Sequence, residues 1–329
     1  MGSRTAPRSR GSAAARMLRW KGATGGNGGT SGSGSSAHRP VMVEEVVQAL
    51  AVGPEPGFYV DGTVGSGGHA RIILDRSTPG GKLIGIDTDP EALVRARENL
   101  AGFGSRVLLR QGNYARLQEV LREVGVPSVR GVLLDLGASY EQLTSSERGF
   151  SFRGCGPLDM RFGPDGELTA HDIVNHWSEP ELRALFRTKG QEPLAGPIAR
   201  AIVRARPVRT TAQLSQIVRS VFKGRRSRIH PATRVFQALR MEVNQELSNI
   251  QAGIEAAAEV LEPGGRLCVI TYHSLEDRLV KLKMREKALA GTGFRALTPK
   301  PLRPAVEEVA ANPSARSAKL RVLQREERV

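Results

Sequence analysis

From residue 38 onward, short apolar runs alternate with amphipathic stretches. The runs at 58–60, 83–86, 106–109, 132–134 and 267–270 are strand-length and rich in branched side chains, so each predicts a strand. Residues 43–50, 91–99, 117–124 and the long stretch 232–261 instead repeat apolar positions at helical spacing. Strand and helix in alternation predict a parallel sheet wound with helices, an α/β fold. The alternation fails between the fourth and fifth strands. One crossover needs one helix, yet 170–175, 179–188, 198–206 and 212–222 all read as separate short helices. The expected arrangement is therefore a core built from 38–139 and 229–329, with a helical domain inserted over 140–228. Residues 1–37, rich in Gly, Ser and Arg, cannot pack a core; they read either as a basic tail or as an organelle transit segment.

Composition narrows the class. No apolar run approaches the roughly 18 residues that span a bilayer, so a soluble, cytoplasmic protein with no membrane partner is expected, or a mitochondrial or plastid one if the first residues are a transit peptide. Two cysteines, Cys155 and Cys268, are too few for a disulfide framework or a cysteine-based zinc site, and no metal is expected. The charge is more telling. The net charge is +15, and residues 183–234 carry 13 Lys and Arg against the single acid Glu192. A near-neutral body with one cationic region suits a catalytic core with a surface for nucleic acid.

The chemistry-bearing loop is Asp61-Gly62-Thr63-Val64-Gly65-Ser66-Gly67-Gly68-His69, directly after a strand and before a helix. Glycines suit a sharp turn whose main chain touches a ligand. The second strand ends at Asp87, where a carboxylate can accept from ribose hydroxyls. Such a pair could hold a dinucleotide or S-adenosylmethionine. The Gly-x-Gly-Gly spacing departs from the dinucleotide fingerprint. Gln111-Gly112-Asn113-Tyr114 at the third strand end could bracket an adenine, and Leu261-Glu262-Pro263-Gly264-Gly265-Arg266-Leu267 introduces the fifth strand in the manner of class I methyltransferases. Together these favour S-adenosylmethionine.

Ordered blocks along the chain carry a resemblance. They include His38-Arg39-Pro40-Val41-Met42-Val43-Glu44-Glu45-Val46, the glycine loop, Ile86-Asp87-Thr88-Asp89-Pro90, and Leu133-Leu134-Asp135-Leu136-Gly137. Later blocks are Glu147-Arg148-Gly149-Phe150-Ser151-Phe152, Gly156-Pro157-Leu158-Asp159-Met160-Arg161, the run from His230 to Arg240, Tyr272-His273-Ser274-Leu275-Glu276-Asp277-Arg278 and Arg316-Ser317-Ala318-Lys319-Leu320-Arg321. On these the chain resembles the MraW/RsmH family of small-subunit (16S) ribosomal RNA cytosine-N4 methyltransferases. The resemblance implies a Rossmann-like class I methyltransferase core with a helical substrate domain, a target cytidine near the decoding centre, and cofactor positions at Gly67, Gly68, His69, Asp87, Tyr114, Asp135 and Gln142. The chain departs from the family pattern at Ala138-Ser139-Tyr140-Glu141, at Arg153-Gly154-Cys155, at Gln191-Glu192-Pro193-Leu194 and at Tyr114.

An exocyclic cytosine amine is a poor nucleophile because the ring shares its lone pair. Asp135, at the tip of the fourth strand, is the expected catalytic acceptor of its hydrogens, with cofactor contact as a second role. A C5 route would need a cysteine nucleophile, and neither Cys155 nor Cys268 has a fitting setting. His69, His230 and His273 are candidate bases or orienting groups. The expected RNA contacts are Arg225, Arg226, Arg228, His230, Arg234, Gln237, Arg240 and Asn244. Of these, Gln237, Arg240 and Asn244 share one helix face with Thr233, and that face is expected to look into the cleft. The partner is small-subunit ribosomal RNA or an assembling small subunit, and a homodimer is compatible. The alternatives are a non-catalytic assembly factor that keeps the fold and a nicotinamide-dependent oxidoreductase.

Overall fold

The structure, a computed structural model, describes residues 39–145, 147–222 and 230–327; the expected RNA contacts Arg225, Arg226 and Arg228, and the segment 1–37, lie outside them. Among the described residues, seven strands form one sheet: β1 (Gly57–Asp61), β2 (Gly81–Asp87), β3 (Val107–Gln111), β4 (Val129–Asp135), β5 (Leu261–Thr271), β6 (Phe294–Ala296) and β7 (Lys319–Arg325). Their order is β3-β2-β1-β4-β5-β7-β6. The first five are parallel, and β7 runs antiparallel between β5 and β6. Helices cover both sides: α1 (Val43–Ala49), α2 (Gly68–Arg76), α3 (Pro90–Asn99) and α4 (Leu117–Glu123) come before or between the first strands.

The strands alternate faces at a period of two. Val60, Ile84, Ile86, Val132, Leu134, Leu267 and Val269 pack with α4 residues in one core. Tyr59, Leu83, Leu133, Cys268 and Ile270 pack with α1, α2 and α3 in the other. Both faces are covered, which is why the inner strands read as continuous apolar runs. The outer strand β3 is partly exposed and ends in Arg110 and Gln111, a polar edge. The antiparallel pair β6 and β7 was not expected from the sequence.

The segment after β4 forms α5 (Tyr140–Thr144), α6 (Ala170–His176), α7 (Glu179–Thr188), α8 (Ala195–Arg204), α9 (Thr211–Phe222) and α10 (Thr233–Val243). Ile173, Leu182, Phe186, Ile198, Ile202, Leu214 and Val218 build a third core, and α10 joins it through Val235 and Leu239. The long helix expected over 232–261 is in fact two, α10 and α11 (Glu246–Val260). Asn244 ends the first, and Gln245 takes a left-handed φ of 49° before the second begins. The Asn244 side chain explains the break: it accepts from Phe162 N at 2.7 Å and donates to Met160 O at 2.8 Å. These two tertiary bonds tie the helix end to the 160–162 loop. Leu247, grouped in sequence with Val235, Leu239 and Val243, therefore sits on the second helix and packs on the sheet core. After β5 come α12 (Ser274–Leu289) and, between β6 and β7, α13 (Val306–Ala311). Among the described residues, no helix is long and apolar enough to cross a membrane.

Candidate active site

The strand order reverses between β1 and β4, and in an open parallel sheet such a switch point leaves a crevice outside the strand C-termini. A cleft of about 990 Å³ lies there. Asp61, Asp87 and Asp135 end β1, β2 and β4, and Asp87 and Asp135 line the cleft together with Gly65, Gly68, His69, Tyr114 and Gln142. The expected cofactor residues are thus gathered at one place, except that Gly67 stands behind the lining.

The glycines divide the work of the loop. A Cβ at Gly68 would meet Pro40 Cγ at 2.6 Å, and one at Gly62 would meet Leu134 Cδ2 at 2.6 Å, so both are required by packing against the protein itself. Gly67 takes φ 91° as the N-cap of α2 and rests on Leu100. At Gly65, with φ 53°, an added Cβ would meet only Thr63 O, at 3.9 Å, so this is where main chain lies open to a ligand. Asp87 holds this loop in place: its Oδ2 accepts from Gly65 N at 2.8 Å and its Oδ1 from Asp89 N at 2.9 Å. Each carboxylate oxygen can take a second bond, so the brace is compatible with a ribose contact. Burial raises the Asp87 carboxyl above its ordinary value, opposed by these N–H bonds. Tyr114 lies beneath the cleft against α11, where a Cβ at Gly253 would meet its ring at 2.4 Å. Gln142, third residue of the Ser139 capping box, donates to Asp89 Oδ2 at 3.0 Å. Arg148 donates to the same oxygen at 3.0 Å and to the carbonyls of Arg161 and Phe162, linking the sheet to the following loop.

Asp135 is held on several sides. Its main-chain N donates to Thr63 Oγ1 at 2.7 Å, and its Oδ1 accepts from the Tyr272 hydroxyl at 2.8 Å. His69 donates from Nε2 to Val41 O at 2.8 Å, which turns Nδ1 towards Asp135 Oδ2, 3.7 Å away. Behind them, Asp61 is pushed up to about 7 by burial, with His69 and the Thr63 N–H pulling the other way. This gives a sign-determined prediction. Asp61 holds its proton in the folded chain up to about pH 7 but loses it near 3.8 when unfolded, so its contribution is fully present below about pH 4 and is lost as pH rises through 7. Asp61→Asn, which keeps an acceptor for Thr63, should gain on the parent as pH climbs from 4 to 8, by roughly 1.4 kcal/mol per unit separating the two pKa values. Urea unfolding at several pH values checks it; a stability difference that ignores pH would count against the assignment.

On the far wall, Thr233, Gln237, Arg240 and Asn244 all line the cleft, as their shared face led us to expect. Two of them are engaged by the protein itself. Arg240 forks onto Glu246 at 2.7 and 2.9 Å, and Asn244 holds the 160–162 loop. Glu276, fully buried, receives Tyr272 N at 2.9 Å and lies 2.8 Å from His273 Nε2. Burial would raise its carboxyl, but His273 and Arg240 bring it below its usual value. His273 accepts Glu276 N on Nδ1 and so serves the capping box of α12, while its buried Nε2 faces Glu276 Oε1 without a hydrogen bond. Glu246, His273 and Glu276 have metal-ligand spacing, but Arg240 already occupies the charge role a cation would take. His230 and Arg234 stand outside the lining. His230 stacks on Phe152, which does line it, at 4.3 Å; burial, then Arg219 and Arg153, lower the imidazole. Arg234 faces the buried Glu192 at 3.8 Å. Arg183, Arg187, Arg200, Arg204, Arg209 and Arg219 are exposed on or beside α7, α8 and α9.

Neither cysteine is placed for attack on a base. Cys268 is buried in β5 with its thiol pushed well up by burial, and Cys155 is exposed but outside the cleft lining. Residues that sequence reasoning did not single out are Thr63, Arg148, Glu246 and Tyr272, which brace others rather than carry a chemical signature of their own.

The model of the MraW methylase family matches residues 35–326. A ribosomal RNA small subunit methyltransferase H of Syntrophotalea carbinolica is 47% identical over 308 residues, covering 88% of this chain and 98% of the relative. The protein of the same description from Thermomicrobium roseum is 48% identical over 308 residues, covering 88% and 94%.

Proposed function

Because this chain belongs to the MraW methylase family, we propose that it transfers a methyl group from S-adenosylmethionine to the N4 amine of a cytidine in small-subunit ribosomal RNA, near the decoding centre. The observation that carries the reading is the convergence of Asp87, the open Gly65 and Asp135 on one cleft at the sheet's switch point. The residues fit the cofactor. Gly65 lets the main chain approach it, Asp87 offers ribose acceptors, and Tyr114 forms an apolar floor with Gly253. S-adenosylmethionine supplies an electrophilic methyl group when bound. Asp135 accepts the amino hydrogens, which favours localisation of the nitrogen lone pair, and it is the group placed to take the displaced proton. Positioning supplies much of the remaining rate.

A paired base hides its amine, so the target must be unpaired or turned out of its stack. The exposed arginines of α7, α8 and α9, with the 223–228 run, hold the RNA phosphates, which makes affinity salt-dependent. Gln237, in the cleft-facing row of α10 with Thr233, Arg240 and Asn244, meets the base. The place of action is the cytoplasm, where small subunits mature. Nucleoside mass spectrometry of small-subunit RNA tests this: cells lacking the gene should lose one N4-methylcytidine and regain it on complementation. An unaltered N4-methylcytidine content would end the proposal.

A further inference from the structure

The register that builds the site also brings a second side chain onto Asp135. β4 and β5 run parallel with Asp135 opposite Ile270. Tyr272 follows two residues later, and its hydroxyl donates to Asp135 Oδ1 at 2.8 Å. We propose that Tyr272 is the positioning residue of the reaction: its hydrogen bond fixes the rotation of the Asp135 carboxylate and favours the ionised form that accepts the amine hydrogens. The inference rests on the role of Asp135 proposed above.

Three features support it. First, the terminal torsion of an aspartate is broad unless its oxygens are held; here the Tyr272 hydroxyl holds Oδ1 at 2.8 Å. Second, Tyr272 is itself anchored at the main chain, donating to Glu276 Oε2 at 2.9 Å, and Glu276 is locked by the His273 capping box. The phenol therefore reaches Asp135 from a fixed point rather than from a mobile loop. Third, burial and then the Asp135 charge raise the phenol well above its ordinary value, so the proton stays on the tyrosine and the direction of the bond is settled. Among the described residues, the titratable groups around the carboxylate are His69 from α2, Asp61 at the end of β1 and Tyr272 after β5. Arg240, Glu246, His273 and Glu276 stand behind the tyrosine, and Glu308 of α13 adds its charge there.

The test is Tyr272→Phe, which keeps the ring and removes one hydroxyl. We expect kcat to fall about ten- to a hundredfold, the range for one hydrogen bond to a charged group. KM for S-adenosylmethionine and for the RNA should stay within about twofold, since the lost bond touches neither. The acid limb of the kcat profile should move to higher pH, because the ionised carboxylate loses a donor. Incorporation of 3-fluorotyrosine at 272, a stronger donor of nearly the same shape, should move that limb the other way, and it needs no deletion of any group. Parental kcat and acid limb in Tyr272→Phe, with Asp135→Ala inactive, would overturn the role of Tyr272 and leave that of Asp135 standing. A rise in KM at unchanged kcat would overturn it too, as binding rather than positioning. An active Asp135→Ala would remove the premise.

Discussion

Asp135→Ala is expected to lower methyl transfer by about a thousandfold while RNA affinity stays within about twofold. The magnitude follows from what a single positioned acceptor contributes to a proton-coupled step, typically a hundred- to ten-thousandfold. The selectivity follows from location. Asp135 sits at the tip of β4 inside the cleft, whereas the exposed arginines are on α7, α8 and α9 and owe nothing to it. Asp135→Asn should fall in the same range, because its amide can still accept from Tyr272 yet turns N–H groups towards an amine that also donates. Single-turnover transfer and filter binding measure the two quantities separately. Transfer within tenfold of the parent would remove Asp135 from the chemistry.

The second large effect is expected at Asp87. Asp87→Ala should weaken S-adenosylmethionine binding by at least about a hundredfold. The carboxylate braces the glycine loop through Gly65 N and the start of α3 through Asp89 N, and bonds to a charged group contribute roughly 1.5–3 kcal/mol each. Losing one such bond and its ribose contact already reaches that factor, since 1.4 kcal/mol is tenfold in affinity. Asp87→Asn retains a single oxygen acceptor and should fall between the two. Titration calorimetry checks both; unchanged affinity in Asp87→Ala would place the cofactor elsewhere.

Much of this site is legible in the sequence because parallel strands end in the residues proposed to carry the chemistry. An apolar run followed by an acid announces Asp61, Asp87 and Asp135, and the turn glycines after β1 mark the loop. What is hidden depends on partners far along the chain. The break between α10 and α11 has no glycine or proline to signal it; it depends on Asn244 reaching residues 160–162. The same distance conceals the bonds of Asn244 to the 160–162 backbone, whereas Glu246, which holds Arg240, lies only six residues on but across the helix break. β7 escapes notice because Lys319, Arg321 and Arg325 interrupt its apolar pattern; Lys319 and Arg321 are matched by Asp277 of α12. Tyr272 is visible only as one letter in a motif, and its meaning appears when β5 pairs with β4.

The account stands on one pocket that holds an adenosyl sulfonium, and calorimetry with the purified full chain tests that most directly. Titration with S-adenosylmethionine, and separately with its demethylated product, should give heat fitting one site per chain, at least about a hundredfold weaker in Asp87→Ala, with none from a nicotinamide dinucleotide. A folded protein that takes up neither compound, or that binds the dinucleotide instead, would contradict it.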